Sequence, residues 1–184
     1  MTPEPIAPAS VLLLIVSAAP PATQIEQLIS FLQSDHWDVH VIATPTAMSW
    51  INPEKIARQT SHPVQSRARR PDEPKSLPKA DAIALAPATF NTINKWSAGI
   101  NDTLALGILN ESLGGQLPII VAPYAKAALS RHPVYHRNLE VLRRAGVDVI
   151  DNEAIRPPAA SNSFNWMVVV ERLRSSRLRS TNHG

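Results

Sequence analysis

Cysteine is absent from the 184-residue chain, which excludes disulfides, thiolate metal sites and a cysteine nucleophile. That absence fits a cytoplasmic protein. Aromatic residues make up only 5% of the sequence, and its six glycines are too scattered to form a Gly-rich phosphate loop. No GxGxxG, Walker, GxSxG or HExxH pattern occurs. No apolar run approaches the roughly 20 residues that a membrane-spanning helix requires. The net charge of +3 is too small to imply a nucleic-acid partner. What is present is 44% hydrophobic residues and 17 prolines, enough for one domain with a full core and sharply ended elements.

Residues Met1 to Ala9 are proline-rich and read as a flexible N-terminal segment. Val11 to Val16 is apolar at every position, as a strand buried on both faces must be. A signal-peptide core would need preceding basic residues, and here Glu4 precedes the run instead. Ser17-Ala18-Ala19-Pro20 forms a strand-to-helix turn, and a helix from Thr23 puts Ile25, Leu28, Ile29 and Leu32 on one face. The Ser17 hydroxyl and the backbone N–H groups of such a turn suit a phosphate. Asp38 to Ala43 is a second strand ending at Thr44-Pro45-Thr46. From Arg58 to Lys79 the chain turns polar, basic and proline-broken, predicting a surface loop. Its Arg67, Arg69 and Arg70 either meet solvent or face an anion, and no aromatics interleave with them as in a single-strand nucleic-acid surface.

Ala82 to Ala86 reads as a third buried strand, leading into Pro87-Ala88-Thr89-Phe90-Asn91-Thr92. Hydroxyls, an amide and backbone donors thereby fall at a strand's carboxyl end and a helix start, where open α/β sheets bind ligands. A helix over Asp102–Glu111, a strand over Pro118–Ala122, a helix over Val134–Ala145 and a short strand over Asp148–Ile150 follow. A last helix spans Met167–Leu173, and a basic, flexible tail runs from Ser175 to Gly184. The pattern predicts a three-layer, Rossmann-like (flavodoxin-like) α/β domain over residues 10–174 with a mostly parallel sheet. His132 and His136 are four apart, but Pro133 between them opposes a shared helical face, so no metal site is expected.

The PATFNT hexapeptide, with Lys95, Gly99-Ile100 and Asp102-Thr103-Leu104 after it, resembles the PASANT motif and following helix of the flavin-containing cysteine decarboxylase family. The order of the opening turn, Thr44, this motif, Ala122-Pro123 and Asn138-Leu139 is similar from about Val11 to Ile150. The resemblance implies a flavoprotein that holds FMN at a subunit interface, in trimers or multiples of trimers. It further implies FMN contacts at Ser17, Thr44, Thr46, Ala88, Thr89, Phe90, Asn91 and Thr92, with Asn91 as the catalytic candidate. Thr44 has the alternative of capping the next helix.

Three family features are altered. The decarboxylases' histidine falls near Glu73, with His62 farther upstream. Their substrate-clamping Asn corresponds to Lys126, which could pair with a substrate carboxylate as a point charge. Their cysteine-containing flap corresponds to Asp151–Ser163, which has neither cysteine nor glycine. The resemblance thus implies a divergent flavin-dependent enzyme acting on a small carboxylate or peptide. The alternatives are a non-catalytic FMN-binding regulatory subunit and a UbiX-like flavin prenyltransferase.

Overall fold

The computed structural model describes residues 9–156 and 164–181, with side chains to Arg179. Residues 1–8 of the segment expected to be flexible, Met1 to Ala9, and most of the flap region, residues 157–163, lie outside the described residues. In chain order the elements are β1 (Ser10–Val16), α1 (Ile25–Ser34), β2 (Trp37–Ala43), α2 (Pro53–Thr60), β3 (Ala82–Thr89), α3 (Phe90–Ser97) and α4 (Leu104–Leu113). There follow β4 (Ile119–Tyr124), α5 (Ala127–Ser130), α6 (Pro133–Arg144), β5 (Asp148–Val149), α7 (Asn152–Ile155) and α8 (Trp166–Thr181). No helix among the described residues is long and apolar enough to cross a membrane.

The strands form one sheet in the order β2-β1-β3-β4-β5, with every pairing parallel. This is the flavodoxin-like arrangement, whose strand order reverses between β1 and β3. Alternation along each strand supplies two cores. Leu12, Leu14 and Val16 of β1 join Leu28, Ile29 and Leu32 of α1 and Val169, Val170 and Leu173 of α8 on one face. Leu13 and Ile15 join Ile93 and Trp96 of α3, Leu106 and Leu109 of α4, and Leu142 of α6 on the other. Central β3 presents only Ala82, Ala84 and Ala86 to the first face, so helices can approach the sheet closely there.

Proline and capping residues set where helices begin. Pro20 opens a 3₁₀ turn over Pro20–Gln24, so α1 starts at Ile25 rather than at Thr23. Asn52 accepts from the Lys55 N–H at 3.0 Å, with Pro53 in the first turn of α2. Thr103 accepts from the Leu106 N–H at 3.2 Å, which starts α4 at Leu104. His132 caps α6, its Nδ1 accepting from the Val134 N–H at 3.2 Å, and Pro133 is the first helical residue. His132 therefore lies outside the helix that carries His136.

The tail expected to be flexible from Ser175 is helical to Thr181. Tertiary contacts extend it. Arg174 donates from Nε and Nη2 to Asp35 Oδ1 at 2.9 and 2.7 Å, and Arg177 lies 4.9 Å over the Trp37 ring. The Ser176 hydroxyl, buried, donates to the Leu173 carbonyl at 2.7 Å.

Candidate functional site

Three loops at the carboxyl ends of β1, β2 and β3 converge at the point where strand order reverses. The turn after β1 is tied to β3 by the Ser17 N–H, which donates to the Pro87 carbonyl at 3.2 Å. The turn after β2 is tied to β1 by the Thr44 N–H, which donates to the Val16 carbonyl at 2.9 Å. Pro87 has no N–H to give the sheet, and the β3–β4 register shifts between Leu85 and Ala88.

Beyond these ties lies a small network of hydroxyls. The Ser17 Oγ donates to Thr92 Oγ1 at 3.0 Å, and Thr92 Oγ1 is 3.0 Å from Thr89 Oγ1. Thr89 also caps α3, its Oγ1 accepting from the Thr92 N–H at 3.3 Å. Ser17 and Thr92 are 1% and 5% exposed, so these hydroxyls have left water and depend on one another. The first turn of α3 carries no acidic side chain, leaving its N-terminal end electropositive.

A cavity of about 330 Å³ opens in front of this network, lined by Thr44, Thr46, Thr89, Asn91 and Thr92 together with Ala18, Pro45, Lys95, Thr103 and Leu106. A second cavity, about 510 Å³, shares Pro45 and Thr103 with it and is walled by Ser66, Arg67, Asn101 and Asp102. Neutral donors dominate the first cavity. Its one cation, Lys95, is paired with Asp102 at 2.5 Å.

Of the residues expected at a cofactor, Thr44, Thr46, Thr89, Asn91 and Thr92 line the cavity, and Ser17 supports it from behind through Thr92. The Thr44 hydroxyl also accepts from the Ala47 N–H at 3.3 Å, so it caps the turn after β2 as well as facing the cavity. Ala88 is fully buried in the second core, and Phe90 stacks on Tyr135 with ring centroids 5.5 Å apart. Lys126 is exposed at the start of α5. None of these three lines the cavity.

Lys95, Thr103 and Leu106 are cavity residues that the sequence reading did not place at the site, although Lys95 and Thr103 stand in the stretch that carries the resemblance. Lys95 is one helical turn after Asn91, an i,i+4 spacing that places both on one face of α3. Thr103 stands directly before an apolar run, the position of a cap.

The basic loop is tied together by one of its own carboxylates. Arg67 makes a bidentate pair with Glu73, at 2.9 and 2.7 Å, and the Arg70 N–H donates to the same carboxylate at 2.8 Å. The Arg67 hydrogen bonds, helped by that N–H, hold the Glu73 carboxyl down at about 2.

His62 is not at this cavity. Its Nε2 lies 2.7 Å from Asp38 Oδ1, and Asp38 is six residues before Thr44 on the same extended strand, about 20 Å away at the usual strand rise. Burial would raise the Asp38 carboxyl, but hydrogen bonds and positive charge from His62 and His40 outweigh it and hold the group below its ordinary value.

Comparison with known proteins places the chain. The family model described as "Flavoprotein" matches residues 5–171. The coenzyme A biosynthesis bifunctional protein CoaBC of Thermococcus kodakarensis is 30% identical over 119 residues, covering 62% of this chain and 29% of that protein. The chain spans less than a third of the length of several curated relatives that it matches. Among solved structures, the FMN-dependent cysteine decarboxylase TvaF from thioviridamide biosynthesis superposes with a TM-score of 0.72 at 21% identity, covering 91% of this chain and 98% of that one. The FMN binding protein AtHal3 gives 0.72 at 17% identity, covering 90% and 95%. At those identities the likeness is one of fold. The family match covers nearly the whole chain, residues 5–171, and the chain is therefore a member of the flavoprotein family.

Proposed function

We propose that the cavity in front of Thr89–Thr92 holds FMN and that the protein is a divergent flavin-dependent enzyme, related to the cysteine decarboxylases, acting on a small carboxylate or peptide. The observation that carries this reading is the hydroxyl network itself. Ser17, Thr89 and Thr92 lock three neutral oxygens together beneath the N-terminus of α3, with Thr44 and Thr46 opposite. A dianionic phosphate fits such a donor set, because hydroxyls, backbone N–H groups and the helix dipole all favour negative charge. FMN, when bound, supplies the redox chemistry, and the chain supplies position.

Asn91 faces the cavity from the first turn of α3 and is exposed, so its amide is available to the flavin ring or to substrate. Lys95 and Asp102 close one wall as an ion pair, which withholds the lysine charge from the phosphate. Exposed Trp50 and Ile100 follow closely on Thr46 and precede Asn101, giving apolar surface beside the cavities for a homo-oligomer contact, a trimer by resemblance.

A binding protein without turnover is the second reading. It is favoured by Lys126, exposed and away from the cavity where the decarboxylases keep their clamp, and by the absence of any cysteine. Titration of FMN with the apoprotein, followed by candidate thiol-bearing carboxylates, separates the two. Saturable FMN binding that weakens at least about tenfold in Asn91→Asp, with a flavin spectrum that responds to a carboxylate, supports the enzyme. Binding with no spectral response to any carboxylate supports the second reading, and no FMN binding removes both.

A further inference from the structure

We propose that Asp38, His40 and His62 form a binding site for one divalent transition-metal ion of the zinc class, which clamps the segment after α2 to the edge of the sheet. Asp38 and His40 are two apart on β2 and so project from the same face of that edge strand. His62 reaches them from 22 residues further along, across a turn in which Ser61 takes a left-handed conformation, φ 62°. The Thr60 hydroxyl accepts from the His62 N–H at 3.2 Å. Gln65 then pairs with the strand, its N–H donating to the Val41 carbonyl at 3.0 Å and its carbonyl accepting from the Ala43 N–H at 2.8 Å. The His62 backbone is therefore held on both sides.

The side chains are arranged as a ligand set. The two imidazoles stack with centroids 3.7 Å apart and planes 17° apart. Both turn Nε2 toward one carboxylate, His62 at 2.7 Å from Oδ1 and His40 at 3.2 Å from Oδ2. One donor atom from each residue lies within 4.8 Å of the other two. A tetrahedral ion with bonds of about 2.0–2.1 Å needs its donors roughly 3.3 Å apart and near the plane of each ring, so the two stacked imidazoles must splay apart about the shared Asp38 carboxylate as the ion enters. Two imidazoles and a carboxylate suit zinc, cobalt or nickel better than calcium or magnesium. His40 is buried while the His62 and Asp38 side chains are 30% and 37% exposed, which leaves the fourth position on the solvent side for water.

The site has a structural consequence that does not depend on flavin binding. Residues 62–66 run parallel to β2 and deliver Ser66 and Arg67 to the wall of the second cavity, beside Pro45. An ion at His62 fixes the start of that strap.

Tag-free protein, stripped with chelator and titrated with zinc chloride by calorimetry, tests the proposal. The expected result is one ion per chain, a rise in melting temperature with zinc, and binding weakened about tenfold or more in both His62→Ala and Asp38→Asn. Cobalt in place of zinc should give visible bands of a tetrahedral site that His62→Ala abolishes. Asp38→Asn is isosteric, so it reads the site even if His62→Ala does not fold. The proposal is overturned if the wild type shows no saturable binding, if Asp38→Asn and His62→Ala bind like the wild type, or if His132→Ala is the variant that loses zinc.

Discussion

The Ser17 hydroxyl donates to Thr92 Oγ1 at 3.0 Å, a hydrogen bond that spans 75 positions and joins the turn after β1 to the first turn of α3. Both side chains are buried, so neither can turn to water if its partner is removed. Thr92→Val keeps the shape and deletes the shared oxygen. It should destabilise the apoprotein by about 1–3 kcal/mol in urea unfolding. Ser17→Ala combined with Thr92→Val should cost clearly less than the sum of the two, because the second change removes the group the first left unpaired.

Asn91→Asp separates binding from folding. The side chain is exposed and the replacement is isosteric, so the stability of the apoprotein should stay within about 0.5 kcal/mol of the wild type, with little change in melting temperature. The added negative charge, in a cavity built for an anion, should nonetheless weaken flavin binding strongly. Fluorescence titration with FMN reads the second effect and thermal melting the first.

Much of the fold was legible for a simple reason. Parallel strands buried on both faces must be apolar throughout, and Val11–Val16 and Ala82–Ala86 are. The hydroxyl residues of the site could be read because they stand at strand ends. The extension of α8 could not, since the ion pairs that hold it are distant in sequence: Arg174 and Arg177 act through Asp35, 139 and 142 positions away. The pairing of Asp38 with His62 was hidden in the same way, because a parallel strap beside β2 leaves no periodic signal in a proline-broken loop.

The alanines of β3 mark where helices press on the sheet. Ala84→Leu inserts three carbons between β3 and the layer formed by α1 and α8, where Ala84 is fully buried. The expected cost is about 1–3 kcal/mol with little change in secondary structure, measured by chemical denaturation and circular dichroism.

Tyr135 gives a pH signature. Burial pushes its hydroxyl up to about 12, with the Arg143 charge opposing. An unfolded tyrosine ionises near 10. The folded state thus keeps a proton that the unfolded state loses, so this contribution is fully present below about pH 10 and is lost as pH rises toward 12. Absorbance titration of tyrosinate should show a late step that Tyr135→Phe removes.

Glu73 ties the basic loop together through Arg67 and the Arg70 N–H. Its carboxyl, held at about 2, keeps the tie intact above the ordinary carboxylate range and releases it as pH falls toward that value. Glu73→Gln should make trypsin cleavage after Arg67 and Arg69 several-fold faster at neutral pH, as read by mass spectrometry of timed digests.

The central claim is that the network at Ser17, Thr89 and Thr92 cradles a flavin phosphate. An absorbance spectrum of the purified protein between about 300 and 550 nm, with the chromophore identified after denaturation, tests it most directly. The account predicts flavin bands and released FMN, either as purified or after incubation with FMN and removal of the excess. A protein that stays colourless after that incubation would contradict it.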